Sequence, residues 1–429
     1  MSSRRVVCAT YNGKLARGRV RALTTGEPSE DLTGWLALDD NGVPLGRDGA
    51  PEFVAVGFQE MIPLHLALAG FTKTALDLHN DELLSAIDAR FGRGGGGASP
   101  SSEKGGSTCA SSYRLVAREV LGGITLLVYA RADVAQRVQR VSRATAACGV
   151  FGLMGNKGAV GVRVTLREDG VGGSGKGDSV WTFVSAHFAA HQGECEARNA
   201  DWREICRRLV FEEDAGDKGL FDTGHLFFFG DLNYRISLTS PKKLPLHLLS
   251  HGISSLDPTD PSTFSTLLAH DQLRQEQRAG RTLHHLSEGA IAFPPTYKFK
   301  PGSVGEYKDF RKRVPGWCDR VLYASAAGDD TKVESYRSVM EFTRSDHKPV
   351  AATISIPSSA VTARLAHHAP YALDRAHRLK RAVGTALDRL VGALWCLVML
   401  AGLNRDLRLG FFNLALASAT AYYRRYAMP

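Results

Sequence analysis

The segment at residues 230–236, GDLNYRI, places an acid and an amide directly after an apolar strand pattern, HLFFF. Side-chain direction repeats every second residue along an extended chain, so Asp231 and Asn233 project to the same side. Asp231 offers a carboxylate, and Asn233 offers an amide that can donate a hydrogen bond to a phosphate oxygen. The alternative is a simple turn, because Asp and Asn are common turn residues.

Two further segments carry an acid or an imidazole next to a strand pattern. Residues 344–350, RSDHKPV, contain the adjacent pair Asp346 and His347, which could also be a chance pair in a surface loop. Residues 315–323, PGWCDRVLY, place Asp319 after a rare Trp-Cys pair. A buried Asp in such a setting typically orients another group, often a histidine N–H.

Glu60 ends the strand pattern VGFQE, and His187 ends another strand pattern in SAHFAAHQ. His191 follows one helical turn later, and we interpret it as a structural polar contact. Five strand ends thus present an acid, an amide or an imidazole, and a sandwich collects such ends on one rim. Oxygen ligands without clustered cysteines favour Mg²⁺ over zinc. A Mg²⁺ ion held by carboxylates, with His and Asn side chains as hydrogen-bond donors, is suited to phosphate ester hydrolysis.

The elements that would position these residues are mostly strands. Runs rich in β-branched and aromatic residues occur at 5–10, 53–58, 124–130, 180–186, 225–229 and 351–356, and 158–166 alternates with Val160, Val162, Val164 and Leu166 on one face. A helical stripe runs from Trp202 to Val210, and a weaker one from Leu83 to Phe91. The pattern predicts an α/β sandwich with mixed or antiparallel sheets. Glycine- and serine-rich inserts at 92–107 and 169–178 are predicted to be surface loops.

Composition and charge narrow the classes of partner. The chain has 429 residues, 44% of them hydrophobic, and seven scattered cysteines without metal-ligand spacing, which we interpret as reduced thiols. The formal net charge is +9, but residues 361–429 contain ten Lys/Arg and three Asp, or +7, which leaves +2 for residues 1–360. A nearly neutral body argues against nucleic acid, since backbone binding needs clustered cations. A basic tail favours a membrane surface.

An ordered set of motifs then resembles a known family. They are TYNGK at 10–14, GFQE at 57–60, MGNKGAVGVR at 154–163, SAHFAAHQ, GDLNYRI, PPTYKF at 294–299, VPGWCDRVLY at 314–323 and SDHKPV. Together they resemble the catalytic domain of the inositol polyphosphate 5-phosphatases, in particular the small tail-anchored enzymes that act on phosphatidylinositol 4,5-bisphosphate. The resemblance covers about residues 1–356. It implies a DNase I-like four-layer αββα sandwich and hydrolysis of the 5-phosphate of an inositol phosphate.

The resemblance also implies a role for each matching residue. Glu60 would be the main Mg²⁺ ligand, with Asn12 on the metal or phosphate side. Asp231 would orient and deprotonate the attacking water, and Asn233 would hold the scissile phosphate. His347 and His187 would contact the phosphate. Asp319 would orient His347, and Asp346 would lie beside the metal or its water.

Substrate choice would depend on a basic cluster that matches the family's grip on the neighbouring 4-phosphate: Tyr297, Lys298, Arg311 and Arg313. Lys157 would reach the ring phosphates or support its own loop. Phe151, Leu153 and Met154 resemble the family's lipid-contacting loop, with inward packing as the alternative. The chain departs from the family by reading TYNG and PGWCDR, where Trp and Ala are common, and neither change removes a reacting group.

The tail is a different kind of sequence from the body, so we divide the chain into a catalytic domain at 1–360 and a tail at 361–429. Residues 390–403 are uncharged and apolar over 14 residues. Because about 20 residues are needed to cross a bilayer, a re-entrant hairpin, an interfacial pair of helices and a thin-membrane span remain open. A soluble hairpin packed on the catalytic domain is the alternative. The short run favours the cytoplasmic face of the endoplasmic reticulum, with the cytosol as the alternative.

The sequence therefore predicts a Mg²⁺-dependent phosphatase of membrane phosphatidylinositol 4,5-bisphosphate, attached by its tail. Three alternatives stay open: a soluble inositol 1,4,5-trisphosphate 5-phosphatase, a nuclease of the same superfamily, and a phosphoinositide-binding scaffold without activity.

Overall fold

The computed structural model describes residues 3–13, 50–91, 112–168, 177–238, 264–308, 314–400 and 418. Within these ranges the strands are β1 (Ser3–Asn12), β2 (Phe53–Gln59), β3 (Tyr113–Leu121), β4 (Ile124–Arg131), β5 (Val138–Ala147), β6 (Gly158–Glu168), β7 (Gly177–His187), β8 (His225–Asp231), β9 (Ser287–Glu288), β10 (Asp319–Ser325), β11 (Lys332–Ser338) and β12 (Val350–Pro357). The helices are α1 (Leu64–Ala69), α2 (Thr72–Phe91), α3 (Ala132–Ala135), α4 (Cys195–Arg208), α5 (Ser265–Ala269), α6 (Gln272–Arg278) and α7 (His377–Leu400).

Two six-stranded mixed sheets form the centre of the fold. Their strand orders are β11-β12-β1-β2-β4-β3 and β5-β6-β7-β8-β10-β9. Each sheet contains one parallel pair, β1 with β2 and β7 with β8. The predicted mixed sandwich is confirmed.

The core lies between the sheets and on both outer faces. Phe53 and Phe183, from opposite sheets, place their ring centroids 5.4 Å apart. On the outer face of the first sheet, α2 buries Leu76, Leu83 and Ile87; on the second, α4 buries Trp202, Ile205 and Cys206. Since each sheet is thus covered on both faces, the layers run helix, sheet, sheet, helix.

The strand directions bring the candidate functional residues to one rim of the sandwich. The parallel pairing places the end of β1 beside the end of β2, with Asn12 opposite Gln59. In the second sheet His187 at the end of β7 is opposite Asp231 at the end of β8, and Asp319 at the start of β10 is also opposite Asp231. A polar bridge joins the sheets just below this rim, where Gln59 Nε2 donates to Ser185 Oγ at 3.2 Å.

Helix α7 lies against the catalytic fold through one row of its surface. Gly384, Asp388, Gly392 and Cys396 recur every four residues and so share one face. A Cβ atom added to Gly384 would lie 2.1 Å from the Leu153 carbonyl oxygen, and one added to Gly392 would lie 2.2 Å from the Ala69 amide nitrogen. The helix backbone is therefore in direct contact with α1 and with the loop after β5.

Some local predictions needed correction. The stripe from Trp202 to Val210 continues past the helix, because α4 ends at Arg208 and Val210 is buried beyond it. The insert predicted at 169–178 ends earlier, since Gly177 begins β7, and the insert at 92–107 lies outside the described residues. Strands β3, β5 and β11 escaped the sequence pattern because charged residues interrupt them. The six described cysteines are free thiols: Cys8, Cys148, Cys195, Cys206, Cys318 and Cys396.

Candidate active site

Asp231 is the centre of the rim and is 1% exposed. Its Oδ2 accepts a hydrogen bond from Asn12 Nδ2 at 2.9 Å and lies 3.3 Å from His187 Nε2, while Oδ1 accepts from the backbone N–H of Asn233 at 3.1 Å. Burial alone would raise the pKa of Asp231, but His347 and His187 outweigh it and hold that pKa below its ordinary value. Asp231 is therefore a buried, ionised carboxylate.

His347 lies between two acids. Its Nδ1 is 2.9 Å from Asp319 Oδ2, and its Nε2 is 3.9 Å from Asp231 Oδ2. Burial opposes the charged ring, yet Asp319 and then Asp231 raise the pKa of His347 to about 9. At neutral pH the ring is an imidazolium, which donates hydrogen bonds from both nitrogens and suits an anionic ligand. Thr296 Oγ1 donates to the same Asp319 oxygen at 2.7 Å and fixes the carboxylate.

Asn233 occupies a strained turn at the end of β8. Its backbone φ is 56°, in the left-handed region, where Asn is tolerated better than most residues. The amide Nδ2 donates to the Phe188 carbonyl at 3.1 Å and carries a second hydrogen for a phosphate oxygen. The amide oxygen accepts from Arg235, whose guanidinium lies 4.3 Å from the Tyr297 ring centroid. Arg235 thus fixes the amide and the Tyr297 ring together.

Asn12 and Glu60 form the side of the site where a metal would bind. Asn12 is 1% exposed, and its Oδ1 has no hydrogen-bond partner among the described residues. Glu60 follows β2 on the neighbouring strand and is exposed at the rim, with φ of 50°. A buried orphan carbonyl oxygen at the end of β1, together with a carboxylate just after the end of the neighbouring strand β2, fits a hard divalent cation.

Asp231, Asp319 and His347 offer a second grouping, with potential ligand atoms within 4.8 Å of one another. In that trio the His347 imidazolium already lies between the two carboxylates and offsets one of their two negative charges. The metal ligands that the resemblance implies, Glu60 and Asn12, lie outside that trio.

His187 and Lys157 form a contact pair on the other side of Asp231. Lys157 Nζ lies 2.5 Å from His187 Nε2. Burial, followed by the Lys157 charge, lowers the pKa of His187. Burial also lowers the pKa of Lys157, although Asp231 and Glu60 oppose that shift. The Nε2 atom of His187 therefore lies within reach of both the Lys157 ammonium and the Asp231 carboxylate.

The predicted substrate cluster is partly described. The Tyr297 ring centroid lies 4.6 Å from that of His347, and Lys298 Nζ lies 2.7 Å from Asp346 Oδ2. Asp346 is thus ion-paired with the substrate cluster, and its predicted place beside the metal or its water stays a prediction. Arg311 and Arg313 lie outside the described residues. In the predicted lipid loop, Met154 is buried and so packs inward, whereas Phe151 is 88% exposed and its contact with lipid stays a prediction.

Two supporting residues were missed from the sequence although they lie in recognised motifs. Arg235 belongs to GDLNYRI and Thr296 to PPTYKF. In the sequence, the indication was that each lies close to a predicted site residue. Only the fold shows which side chain each of them contacts.

Comparison with known proteins agrees with this geometry. Residues 10–353 match the Endonuclease/Exonuclease/phosphatase family 2. The mouse type II inositol 1,4,5-trisphosphate 5-phosphatase is 35% identical over 242 residues, covering 55% of this chain and 22% of that protein. The type IV inositol polyphosphate 5-phosphatase 9 of Arabidopsis thaliana is 30% identical over 314 residues, covering 70% of this chain and 69% of that protein.

Solved structures show the same fold. The inositol polyphosphate 5-phosphatase domain of SpSynaptojanin, solved with inositol (1,4)-bisphosphate and a calcium ion, has a TM-score of 0.58 and 25% identity and covers 90% of both chains. A Cimex nitrophorin, solved as its ferrous NO complex, has a TM-score of 0.52 with 17% identity and covers 83% of this chain and 99% of that chain. Because that protein was solved as a ferrous NO complex and not with an inositol phosphate, the fold alone does not define the chemistry.

The fold and the matched residues define a member of the Endonuclease/Exonuclease/phosphatase family 2, and within it the chain belongs to the inositol polyphosphate 5-phosphatases. It spans 22% of the length of the mouse type II relative.

Proposed function

We propose that this protein is a Mg²⁺-dependent phosphatase that removes the 5-phosphate of a membrane phosphoinositide, phosphatidylinositol 4,5-bisphosphate. The observation that carries the proposal is the buried Asp231 carboxylate, which contacts Asn12, Asn233 and His187 and faces the His347 imidazolium. The relatives named as inositol polyphosphate 5-phosphatases supply the substrate class.

In this proposal each residue acts on the phosphate or on the attacking water. Asp231 orients the water and accepts its proton, while Asn233 and the His347 imidazolium donate hydrogen bonds to phosphate oxygens. A phosphate that engages His347 also draws that positive charge away from Asp231, which makes the carboxylate a stronger base. Glu60 and Asn12 hold the Mg²⁺, which supplies charge neutralisation at the phosphate when bound.

Lys298 and Tyr297 lie beside His347 and would recognise the neighbouring 4-phosphate. The ion pair of Lys298 with Asp346 holds the ammonium in place before substrate arrives. A dianionic phosphate carries two negative charges, whereas the Asp346 carboxylate carries one, so the phosphate competes well for the Lys298 ammonium. Arg311, Arg313 and Lys157 complete the proposed set of cations for the inositol phosphates.

The surface of α7 supports the membrane part of the proposal. By length and composition, residues His377–Met399 are sufficient to cross a membrane, and the helix is only 17% buried there. The row that contains Gly384, Gly392 and Cys396 faces the protein. By contrast, three leucines on the helix are 55–58% exposed: Leu390, Leu394 and Leu397. A soluble amphipathic helix does the reverse, since it buries its leucines. Small residues at the helix contact and leucines outside are typical of a helix surrounded by lipid.

Because α7 stays in contact with α1 as far as Cys396, whose Sγ lies 3.7 Å from the His65 carbonyl oxygen, we favour an interfacial helix over a span. Arg378 and Arg381 near its start form ion pairs with Glu212 and Asp217, which fix the start of the helix on the catalytic fold. We propose the cytoplasmic face of the endoplasmic reticulum as the membrane.

Phosphate release from a panel of substrates tests the proposal. Full-length protein is incubated with vesicles containing phosphatidylinositol 4,5-bisphosphate, with soluble inositol 1,4,5-trisphosphate, and with supercoiled plasmid DNA, each with Mg²⁺ or with EDTA. We expect release that requires Mg²⁺, is fastest from the lipid, and is lost in Asp231→Asn. Faster release from the soluble compound would favour the soluble phosphatase, nicking of plasmid would favour the nuclease, and binding without release would favour the scaffold.

A further inference from the structure

Helix α7 contacts the active-site loop through a buried carboxylate. Both oxygens of Asp388 lie 3.0 Å from the backbone nitrogen of Gly155, and Asp388 is 7% exposed. The two residues are 233 positions apart in the chain. A carboxylate that accepts from a buried amide satisfies a donor that would otherwise be left without a partner.

The Gly155 peptide is enclosed on two sides. A Cβ atom added to Gly155 would lie 2.8 Å from Asp388 Oδ2 and 2.9 Å from Leu121 Cδ1. On the β3–β4 turn, a Cβ atom added to Gly122 would lie 2.2 Å from the Gly155 carbonyl oxygen. The peptide is therefore held between α7 and the β3–β4 turn, and a side chain at position 155 would displace Asp388 or Leu121.

The same loop leads directly to the reacting groups. Two residues after Gly155, Lys157 places its Nζ 2.5 Å from His187 Nε2, and His187 lies 3.3 Å from Asp231. The loop is closed by hydrogen bonds from Cys148 N to the Lys157 carbonyl at 2.8 Å and from Gly149 N to the Met154 carbonyl at 2.9 Å. A displacement of the Gly155 backbone would therefore also displace Lys157, which is two residues further along the same closed loop.

We propose that Asp388 is a positioning residue for the phosphatase reaction: by holding the Gly155 amide, it fixes the loop that brings Lys157 to His187 and Asp231. This inference rests on the proposed function for its reaction, but it does not depend on a membrane. It assigns the tail helix a role in turnover that is separate from attachment.

The test compares two substitutions at one position in the full-length protein. Asp388→Ala removes the acceptor, whereas Asp388→Asn keeps one acceptor oxygen. The amide group introduced by Asp388→Asn would be accommodated, because Asp388 borders a cavity of about 530 Å³ between α7, α2 and the β3–β4 hairpin. Thr385→Ala, on the same helix, is the matched control, since that hydroxyl donates to the Arg381 carbonyl within the helix.

Turnover is measured on soluble inositol 1,4,5-trisphosphate with Mg²⁺, so that membrane binding does not contribute. We expect Asp388→Ala to lower kcat by about 10-fold or more with a smaller change in KM, because misplacement of a positioning loop affects the reacting geometry. Asp388→Asn and Thr385→Ala should stay within about 3-fold of the unchanged protein, because neither change removes the acceptor for the Gly155 amide.

Hydrogen exchange of the amides supplies a readout apart from activity. We expect faster exchange in peptides covering residues 149–157 of Asp388→Ala, with β8 unchanged, and normal exchange in Asp388→Asn. Unchanged kcat in Asp388→Ala, or equal loss in both variants with normal loop exchange, would overturn the inference. Absence of turnover in the unchanged protein on every 5-phosphorylated substrate would instead contradict the proposed function, while the loop exchange would still report on the contact.

Discussion

The imidazole of His347 is held by Asp319 through a hydrogen bond of 2.9 Å between Nδ1 and Oδ2, and both side chains are buried. Asp319 begins β10 of one sheet, whereas His347 shortly precedes β12 of the other. The pair fixes which nitrogen of His347 faces Asp231 and the proposed phosphate. It also provides the negative charge that keeps the ring protonated.

The first prediction concerns the titration of His347. In metal-free protein its ring signals should titrate with a midpoint at about 9, so the imidazolium is present below that pH and lost above it. Asp319→Asn removes the nearest acid and should lower the midpoint toward the ordinary value of about 6.5. Nuclear magnetic resonance of the ring protons measures both, with His347→Ala to assign the signal.

The same shift has a consequence for stability. Because the pKa of His347 is raised on folding, the contribution of its ionisation to the free energy of unfolding is present in full below pH about 6.5 and is lost as the pH rises through about 9.

The control for the titration experiment is Asp329→Asn, at an exposed position, which should leave the His347 titration unchanged. A His347 midpoint that is equal in Asp319→Asn and the unchanged protein would contradict the assignment.

The second prediction concerns Asp231 as the base. Asp231→Asn keeps the size of the side chain but removes the charge that faces the water, so kcat should fall by roughly 10²- to 10⁴-fold. KM should change little, because Lys298 and Tyr297 remain. Circular dichroism checks that the fold is kept, and a variant with more than half the original kcat would refute this role.

The third prediction concerns the metal ligands. Asn12→Ala removes the buried orphan oxygen and Glu60→Gln removes the carboxylate, so each should raise the Mg²⁺ concentration for half-maximal activity by about 10-fold or more. Titration of phosphate release with Mg²⁺ gives that concentration. Glu306→Gln, an exposed acid paired with Lys300, is the control and should show the original Mg²⁺ dependence.

A normal Mg²⁺ dependence in both Asn12→Ala and Glu60→Gln would move the metal away from this side of the site. The grouping of Asp231, Asp319 and His347 would then become the better candidate.

The fourth prediction concerns the outer face of α7. Replacement of Leu390, Leu394 and Leu397 by serine removes apolar surface worth up to about 1.5–3 kcal/mol per fully buried leucine, so binding to anionic vesicles should weaken by at least about 10-fold. Cosedimentation with vesicles measures the binding. Turnover of soluble substrate should be unchanged, because these side chains point away from the catalytic fold.

Val304→Ser is the control for that experiment, since Val304 is an exposed apolar residue outside the helix. Equal vesicle binding by the triple serine variant and the unchanged protein would show that α7 is not the membrane contact.

The sequence was informative where the chemistry is local. Asp231 and Asn233 share one motif, and a strand end with a following loop is enough to place both on the rim. Strands with uninterrupted apolar runs, such as β8, were predicted correctly because burial on both faces leaves no polar residues in the pattern. Charged residues on β5 hid its strand character, since that sheet edge is partly exposed.

Contacts between distant segments were not predictable in the same way. No local pattern indicates that Asp388 meets Gly155, because the composition of its helix favoured a membrane contact and pointed to no partner residue in the catalytic domain. The orphan oxygen of Asn12 is also a property of the assembled site, since its amide nitrogen is directed at Asp231 on the other sheet. Arg235 was visible in its motif, but its stacking on Tyr297 depends on a loop more than sixty residues away.

The four-residue spacing of Gly384, Asp388, Gly392 and Cys396 has a kinetic consequence. An enzyme joined to its membrane by a slack linker searches for lipid through a volume set by the linker's length. Here the helix backbone touches the catalytic fold, so the height and tilt of the active site above a lipid surface would be constant. Encounter rates would then follow the number of substrate molecules per unit area of bilayer, and dilution of the lipid within the membrane would slow the enzyme more than dilution of the vesicles in the buffer.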